Sequence, residues 1–180
     1  MTSRRKGLIV LAVQLAVVLS VAVKYAWERH ACPQVWTRAG QWDPEQPLRG
    51  RYLALQLRAD GCGLPRDEKH TNHYGVNDQM LANYSWQATT AARDGKLVLV
   101  PWDERTAVPT EWVRTEEGVP CERMTLGDST EFFVSEKATL PVLKKGQELW
   151  ALVTVPPQGP PRPVELAVAE GKEFRVLQLR

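Results

Sequence analysis

The chain has 180 residues, of which 43% are hydrophobic and 24% charged, and its formal net charge is +2. Three of its 23 basic residues, Arg4, Arg5 and Lys6, precede a long apolar stretch, which leaves 20 basic against 21 acidic residues. This near-neutral balance argues against nucleic acid as a partner. The remaining length, about 150 residues, suffices for one domain with a hydrophobic core, and 13 prolines and 12 glycines between short apolar runs favour a β-rich fold.

The uncharged stretch at residues 7–23 predicts a membrane anchor, because a helix of this run is roughly 25 Å long. Lys24 can extend it by snorkelling, and Tyr25 and Trp27 suit the headgroup region. We therefore expect a cytoplasmic N-terminus at residues 1–6, a transmembrane helix at 7–27 and an exported remainder. The anchor places membrane lipid among the expected partners.

Two other interpretations of this stretch stay open. A basic start followed by an apolar run also describes a cleaved signal peptide, and the segment Ser20-Val21-Ala22 offers small residues three and one before a possible cut. A buried helix of a soluble protein would need partner helices on all sides, which the flanking sequence does not supply.

Residues 28–48 are predicted to form an extended linker that lifts the domain off the membrane, since prolines interrupt it. Its two tryptophans, Trp36 and Trp42, suit either the membrane interface or packing onto the domain. The prolines are Pro33, Pro44 and Pro47.

The following domain, residues 49–180, opens with a strand predicted at 49–58. Leu53, Leu55 and Leu57 alternate with Ala54, Gln56 and Arg58, so that one face is apolar. The segment Gly50-Arg51-Tyr52-Leu53-Ala54-Leu55-Gln56-Leu57 resembles the signature of the GDYXXLXY family of bacterial membrane-anchored proteins. Gly50, Tyr52 and Leu55 match, whereas Arg51 replaces the acidic residue and Leu57 replaces the last tyrosine.

A second segment, residues 131–136, is similar to the aromatic-aromatic-x-x-Glu part of that family through Phe132, Phe133 and Glu136. The resemblance implies a membrane-anchored, β-rich domain without assigned chemistry, in the bacterial inner membrane with its C-terminal domain in the periplasm. A structural role for the first motif is the simpler interpretation: Gly50 lets the chain turn into the strand, and the next side chains pack on its two faces.

Residues 60–83 are polar and are predicted to be irregular. His70 and His73 could share a helical face, and Cys62 could add a thiolate, which makes this the candidate metal-binding loop. A bare His-x-x-His spacing is common by chance, and loops are polar for solvation alone. No cofactor is predicted.

Cys62 and Cys121 both lie in turn sequences and are predicted to form a disulfide, with Cys32 left free in the linker. Closing a loop of nearly 60 residues would stabilise the fold by about 4 kcal/mol in the chain-entropy description. Three free thiols are the alternative, because spacing does not fix connectivity.

Later elements follow from turn signals. Asp94-Gly95 between apolar runs predicts a hairpin of residues 84–90 and 96–100. Residues 139–146 predict one or two helical turns, with Pro141 near the start and Gly146 at the end. Further strands are predicted at 111–114, 123–126, 132–133, 148–155, 164–168 and 173–179. The fold class is therefore mainly β, with an N-terminal transmembrane helix, an antiparallel exported domain and one short helix.

A non-catalytic binding or assembly module that contacts another envelope protein is the leading functional hypothesis. The rival is a hydrolase of serine–lysine type that uses Ser135-Glu136-Lys137, or a metal-dependent protein that uses His70 and His73. Ser135 lacks a recognisable nucleophile motif, so a turn serine is the simpler interpretation.

Overall fold

The computed structural model describes residues 3–42, 52–65, 71–76, 79–102, 111–116, 119–135, 138 and 143–179. The chain forms two compact units, Met1–Cys32 and Pro33–Arg180. The predicted fold class is confirmed, because an apolar N-terminal helix is followed by an antiparallel β-rich unit.

Helix α1 spans Ser3–Ala31 and contains the whole predicted anchor. The most apolar 18-residue window of its segment Arg5–Ala31 has a mean hydropathy of 2.3, and none of that window is buried within the protein. Apolar side chains occur all round this helix, so it has no polar face of the kind that surface helices carry. The helix is long and apolar enough to cross a membrane, a property that a cleaved signal sequence shares.

The end of α1 lies beyond the predicted boundary at residue 27. Lys24 and Glu28 are spaced by one helical turn, and their Nζ and Oε1 atoms are 3.7 Å apart. The N–H of Cys32 donates to the carbonyl oxygen of Glu28 at 2.9 Å, and Pro33 then ends the helix because it has no N–H to donate.

Eleven strands make up the described part of the second unit. All the pairings between them are antiparallel. The strands are β1 (Gln34–Trp42), β2 (Tyr52–Ala59), β3 (Thr71–Val76), β4 (Gln79–Arg93), β5 (Lys96–Pro101), β6 (Glu111–Glu116), β7 (Met124–Leu126), β8 (Thr130–Phe133), β9 (Gln147–Thr154), β10 (Arg162–Glu170) and β11 (Glu173–Leu177).

The strands hydrogen-bond in the order β11-β10-β9-β1-β2-β7-β6-β4-β3, with β5 paired to β4 and β8 paired to β2. Strand β2 is the centre of this arrangement. It pairs with β1 along one edge, with β8 near its start and with β7 at its end. The chain therefore uses the leucine-rich strand to join the two halves of the sheet.

Three leucines of β2 confirm the predicted apolar face. Leu53, Leu55 and Leu57 are completely buried, whereas Gln56 is half-buried and Arg58 is exposed. Full burial of a leucine side chain contributes about 1.5 to 3 kcal/mol, so this strand is a large part of the core.

The predicted linker at residues 28–48 is wrong for the part that the structure describes. Residues 34–42 form β1, which pairs with β9 from Gln34 to Ala39 and with β2 from Ala39 to Trp42. Val35 and Thr37 are buried, and Trp36 and Arg38 lie on the other face. An alternating strand satisfies the backbone N–H and C=O groups that an extended linker would leave to water.

The predicted irregularity of residues 60–83 is also wrong in part. Residues 71–76 form β3, which pairs with the start of β4 from Thr71↔Tyr84 to Val76↔Gln79. Ladder hydrogen bonds join backbone groups, so residues with polar side chains form them as readily as apolar residues do, and polarity alone did not exclude a strand here.

The hairpin predicted around Asp94-Gly95 is confirmed. Arg93 pairs with Lys96, and Asp94 and Gly95 both have positive φ angles, 50° and 71°. Two consecutive positive φ angles are typical of the tight turn that matches the twist of the flanking strands.

The short helix predicted at residues 139–146 is not present in its described part. Residues 139–142 lie outside the description, and 143–146 lead into a turn in which Gly146 has a φ of 91°. The turn is closed by the Gln147 N–H, which donates to the Lys144 carbonyl oxygen at 3.0 Å. A short 3-10 helix does occur elsewhere, at Cys121–Arg123.

Candidate functional site

The two segments that carry the family resemblance lie side by side. Strands β2 and β8 pair with Tyr52 opposite Phe133 and Leu53 opposite Phe132. Phe132 is 3% exposed, whereas Phe133 is 65% exposed. The first phenylalanine is therefore a core residue, and the second is available at the surface.

Of the other residues that match the family's two segments, two are described by the structure and two are not. Tyr52 and Leu55 are buried, as a structural role for the motif requires. Gly50 and Glu136 lie outside the described residues, so their roles stay predictions.

The predicted metal-binding loop is not assembled in the described part of the chain. His73 belongs to β3 and pairs with Ala82, so the helical face that it was expected to share with His70 is wrong. His70 lies outside the described residues. A metal site that uses both histidines therefore stays a prediction without geometric support.

Ser135 lies in an exposed turn. Its backbone N–H donates to the carbonyl oxygen of Leu179 at 2.9 Å, and its own carbonyl oxygen accepts from the Ala138 N–H at 3.0 Å. These bonds make the residue part of the connection between β8 and the C-terminal segment. Glu136 and Lys137, which a serine–lysine mechanism would need, lie outside the described residues.

Cys62 and Cys121, the pair predicted from their turn positions, form a disulfide with a Cα–Cα distance of 4.8 Å. Cys32 has a free thiol and is half-buried. Potential ligand atoms of Cys62, Cys121 and Glu122 lie within 4.8 Å of one another, but the two sulfurs are bonded to each other and are not the thiolates that a metal would need.

Backbone hydrogen bonds position both ends of this disulfide. The Gly61 N–H donates to the Cys121 carbonyl oxygen at 2.8 Å, and the Cys62 N–H donates to Oδ1 of Asp60 at 3.0 Å. Asp60 itself is tied to β5, since its N–H donates to Leu97 O and its carbonyl oxygen accepts from Leu99 N–H. The disulfide therefore joins the segment after β2 to the 3-10 helix, and the hydrogen bonds of Asp60 join the same segment to β5.

Gly61 allows the close packing beneath the disulfide. A Cβ at this position would overlap the buried sulfur of Met124 and lie 3.2 Å from Leu99 Cδ1. We expect Gly61→Ala to lower the free energy of unfolding by about 1 to 3 kcal/mol through overpacking. Chemical denaturation of the full-length protein measures this change.

Gly63→Ala is the matched control, because a Cβ at Gly63 meets nothing within 4 Å. It is expected to change stability by less than about 0.5 kcal/mol. Equal losses for the two variants would show that Gly61 is not sterically required.

A cavity of about 200 Å³ lies next to the disulfide-linked segments. Its walls come from β1, the end of β2, the start of β5, the 3-10 helix and β9. Four of its lining residues are basic, two are acidic and two are tryptophans. The lining residues are Trp36, Thr37, Arg38, Arg58, Ala59, Asp60, Lys96, Leu97, Glu122, Arg123 and Trp150.

Aromatic side chains form one side of this cavity and continue onto β11. Trp36 meets Phe174 edge-on at 4.9 Å between ring centroids, and Trp150 meets the same ring at 6.2 Å. Arg38 lies over Trp150, 5.3 Å from the ring centroid, and its Nε donates to Oε2 of Glu148 at 2.9 Å. We call Trp36, Trp150, Phe174 and the neighbouring Val176 the aromatic face.

The aromatic face is partly open to solvent. Phe174 and Val176 are both 47% exposed, and Trp36 and Trp150 are half-buried. The register explains their grouping, because Trp150 and Val176 both lie opposite Ala167, and Phe174 lies opposite Ala169. Residues directly opposite in antiparallel strands share a face, and the small alanines leave room for the rings.

Neither the cavity nor the aromatic face was predicted from the sequence, since Trp36 and Arg38 fell within the predicted linker. The alternation of Val35, Thr37 and Ala39 with Trp36 and Arg38 was the signal that could have found them. No family model, curated protein or solved structure matches this chain.

Proposed function

We propose that this is a single-pass membrane-anchored protein whose β-rich domain is a non-catalytic binding module. The observation that carries the proposal is α1, an apolar helix of membrane-spanning length with none of its apolar window buried by the rest of the chain. Solvating such a surface in water is unfavourable, and a bilayer removes that cost.

The orientation follows from charge. Arg4, Arg5 and Lys6 precede the apolar stretch, and basic flanks favour the cytoplasmic side, so the β-rich domain is exported. The Cys62–Cys121 disulfide agrees with this placement, because disulfides persist in oxidising compartments. The resemblance to the GDYXXLXY family supports a bacterial inner membrane and a periplasmic domain.

The aromatic face is the surface proposed to bind an envelope protein. Aromatic residues and arginine are enriched in the cores of protein interfaces, and this face has two tryptophans and a phenylalanine, with Arg38 lying over Trp150 beside it. The Arg38–Glu148 ion pair at its border supplies polar groups of both signs. The partner surface that fits it is apolar at its centre with a polar rim.

Position-specific photocrosslinking in intact membranes tests this surface. A photoreactive residue at Phe174 or Val176 is expected to give one discrete crosslinked product, because both side chains lie on the aromatic face and are exposed. The identity of the product is then read by mass spectrometry.

Glu173 and Arg175 provide matched control positions, since they are exposed on the same strand but alternate with the aromatic face. Crosslinking of equal strength at Arg175 and Phe174, or none at Phe174 and Val176, would contradict the proposed binding surface.

A further inference from the structure

We infer that the cavity beside the disulfide is a binding site for a small phosphate monoester group. The inference rests on the proposed function, because it assigns a ligand class to the binding module. Three side chains carry it: Arg58 from β2, Lys96 from β5 and Arg123 from the 3-10 helix.

These three cationic groups have no ion pair within the described part of the chain. Arg38, the fourth basic residue of the wall, is paired with Glu148. Arg58, Lys96 and Arg123 are all exposed, so their charged groups are hydrated and accessible to a ligand. Three cations around one cavity suit an anion that carries nearly two negative charges, as a phosphate monoester does at neutral pH.

Two carboxylates also line the cavity, and each has a different role. Asp60 Oδ1 accepts the Cys62 N–H and so holds the turn. Glu122 is exposed and adjoins Arg123. Glu122 therefore lowers the positive potential of the site without forming an ion pair with its cationic side chains. Removing the charge of Glu122 is expected to strengthen anion binding.

The dimensions of the cavity limit the ligand. A volume of about 200 Å³ is below the range of pockets that take drug-sized ligands, so it fits a headgroup or a sugar phosphate. The rings of Trp36 and Trp150 offer apolar contact for the carbon atoms that carry the phosphate.

The disulfide fixes the relative position of the charged walls. Asp60 lies two residues before Cys62, and Glu122 and Arg123 directly follow Cys121. Reduction would release the 3-10 helix from the end of β2 and allow Arg123 to leave the cavity. Binding is therefore expected to be weaker after reduction.

Calorimetric titration of the full-length protein in neutral detergent with glycerol 3-phosphate tests the site. Saturable binding is expected. Arg123→Gln should weaken it about two- to fivefold and Glu122→Gln should strengthen it by a similar factor, as exposed charge pairs of this kind predict. These two variants change adjacent residues of one 3-10 helix, so effects of opposite sign report charge rather than folding.

Lys172→Gln is the control, since Lys172 is exposed in the β10–β11 turn and does not line the cavity. Absence of saturable binding, or equal weakening by Lys172→Gln and Arg123→Gln, would overturn the site. An affinity for glycerol 3-phosphate that stays the same when the disulfide is reduced and Arg123 is replaced by glutamine would also overturn the site.

Nanodiscs distinguish the two sources of a phosphate monoester. The protein is titrated with glycerol 3-phosphate in phosphatidylcholine discs with and without phosphatidic acid. Loss of the titration in the presence of phosphatidic acid assigns the site to a lipid headgroup, and an unchanged titration assigns it to a soluble ligand. Photocrosslinking at Phe174 does not depend on this result. The titration can therefore refute the phosphate site without refuting the proposed function, and the photocrosslinking can refute the proposed binding surface by itself.

Discussion

Replacing Leu15 and Val18 with arginine is expected to abolish membrane insertion of this protein. Both residues lie near the centre of the apolar stretch and are exposed on α1. An arginine at the centre of a transmembrane helix costs about 2.5 to 3.5 kcal/mol on the insertion scale, so two cost roughly 5 to 7 kcal/mol. Membrane fractionation with alkaline washing measures the outcome.

Thr2→Arg combined with Ser3→Arg is the matched control. These positions precede the basic residues at 4–6, so both new arginines stay outside the apolar stretch, and added positive charge there favours the proposed orientation. The control variant should stay in the membrane. Retention of the Leu15→Arg, Val18→Arg variant to the same extent would contradict the anchor.

Replacing both Cys62 and Cys121 with serine is expected to lower the free energy of unfolding by about 4 kcal/mol in the chain-entropy description. The two cysteines are separated by 59 positions, so the disulfide closes a long loop in the unfolded chain. Cys62 is exposed and Cys121 half-buried, which lets serine occupy both positions without burying a hydroxyl deeply. Denaturant titration of the full-length protein, followed by tryptophan fluorescence, measures the loss.

Cys32→Ser serves as the control, because Cys32 is free and belongs to the N-terminal unit. It should leave the denaturation midpoint of the β-rich domain unchanged. A double variant as stable as the Cys32→Ser protein would show that the disulfide contributes little to the fold.

The sequence predicted the parts of the fold that have strong local signals. Asp94-Gly95 allowed only a few turn geometries, and the alternating leucines of β2 predicted the face that is completely buried. The turn positions of Cys62 and Cys121 predicted the pair that the structure joins. In each case a few neighbouring residues limited the conformations available.

The missed elements depend on residues distant in sequence. Strand β1 is held by β9, whose paired residues lie more than 100 positions away, as Arg38↔Trp150 shows. Its short alternation was masked by Pro33 and by the prolines that follow the strand. No local pattern identifies such a pairing partner, because ladder hydrogen bonds involve the backbone of any residue.

The cavity could not be predicted for the same reason. Arg58, Lys96 and Arg123 are separate solvent-exposed charges in the sequence, and they come together only when β2 reaches β5 and the disulfide holds the 3-10 helix. The motif pairing of Tyr52 with Phe133 likewise needs the register of β2 and β8. Residues that are distant in sequence can be assigned to one site only when the strand pairing is known.

Alkaline extraction of native membranes, followed by mass spectrometry of the retained protein, tests whether α1 anchors this protein in a bilayer. We expect a protein that resists extraction and still contains peptides from residues 7–23. A protein that is released by the alkaline wash, or that begins at Val23, would contradict it.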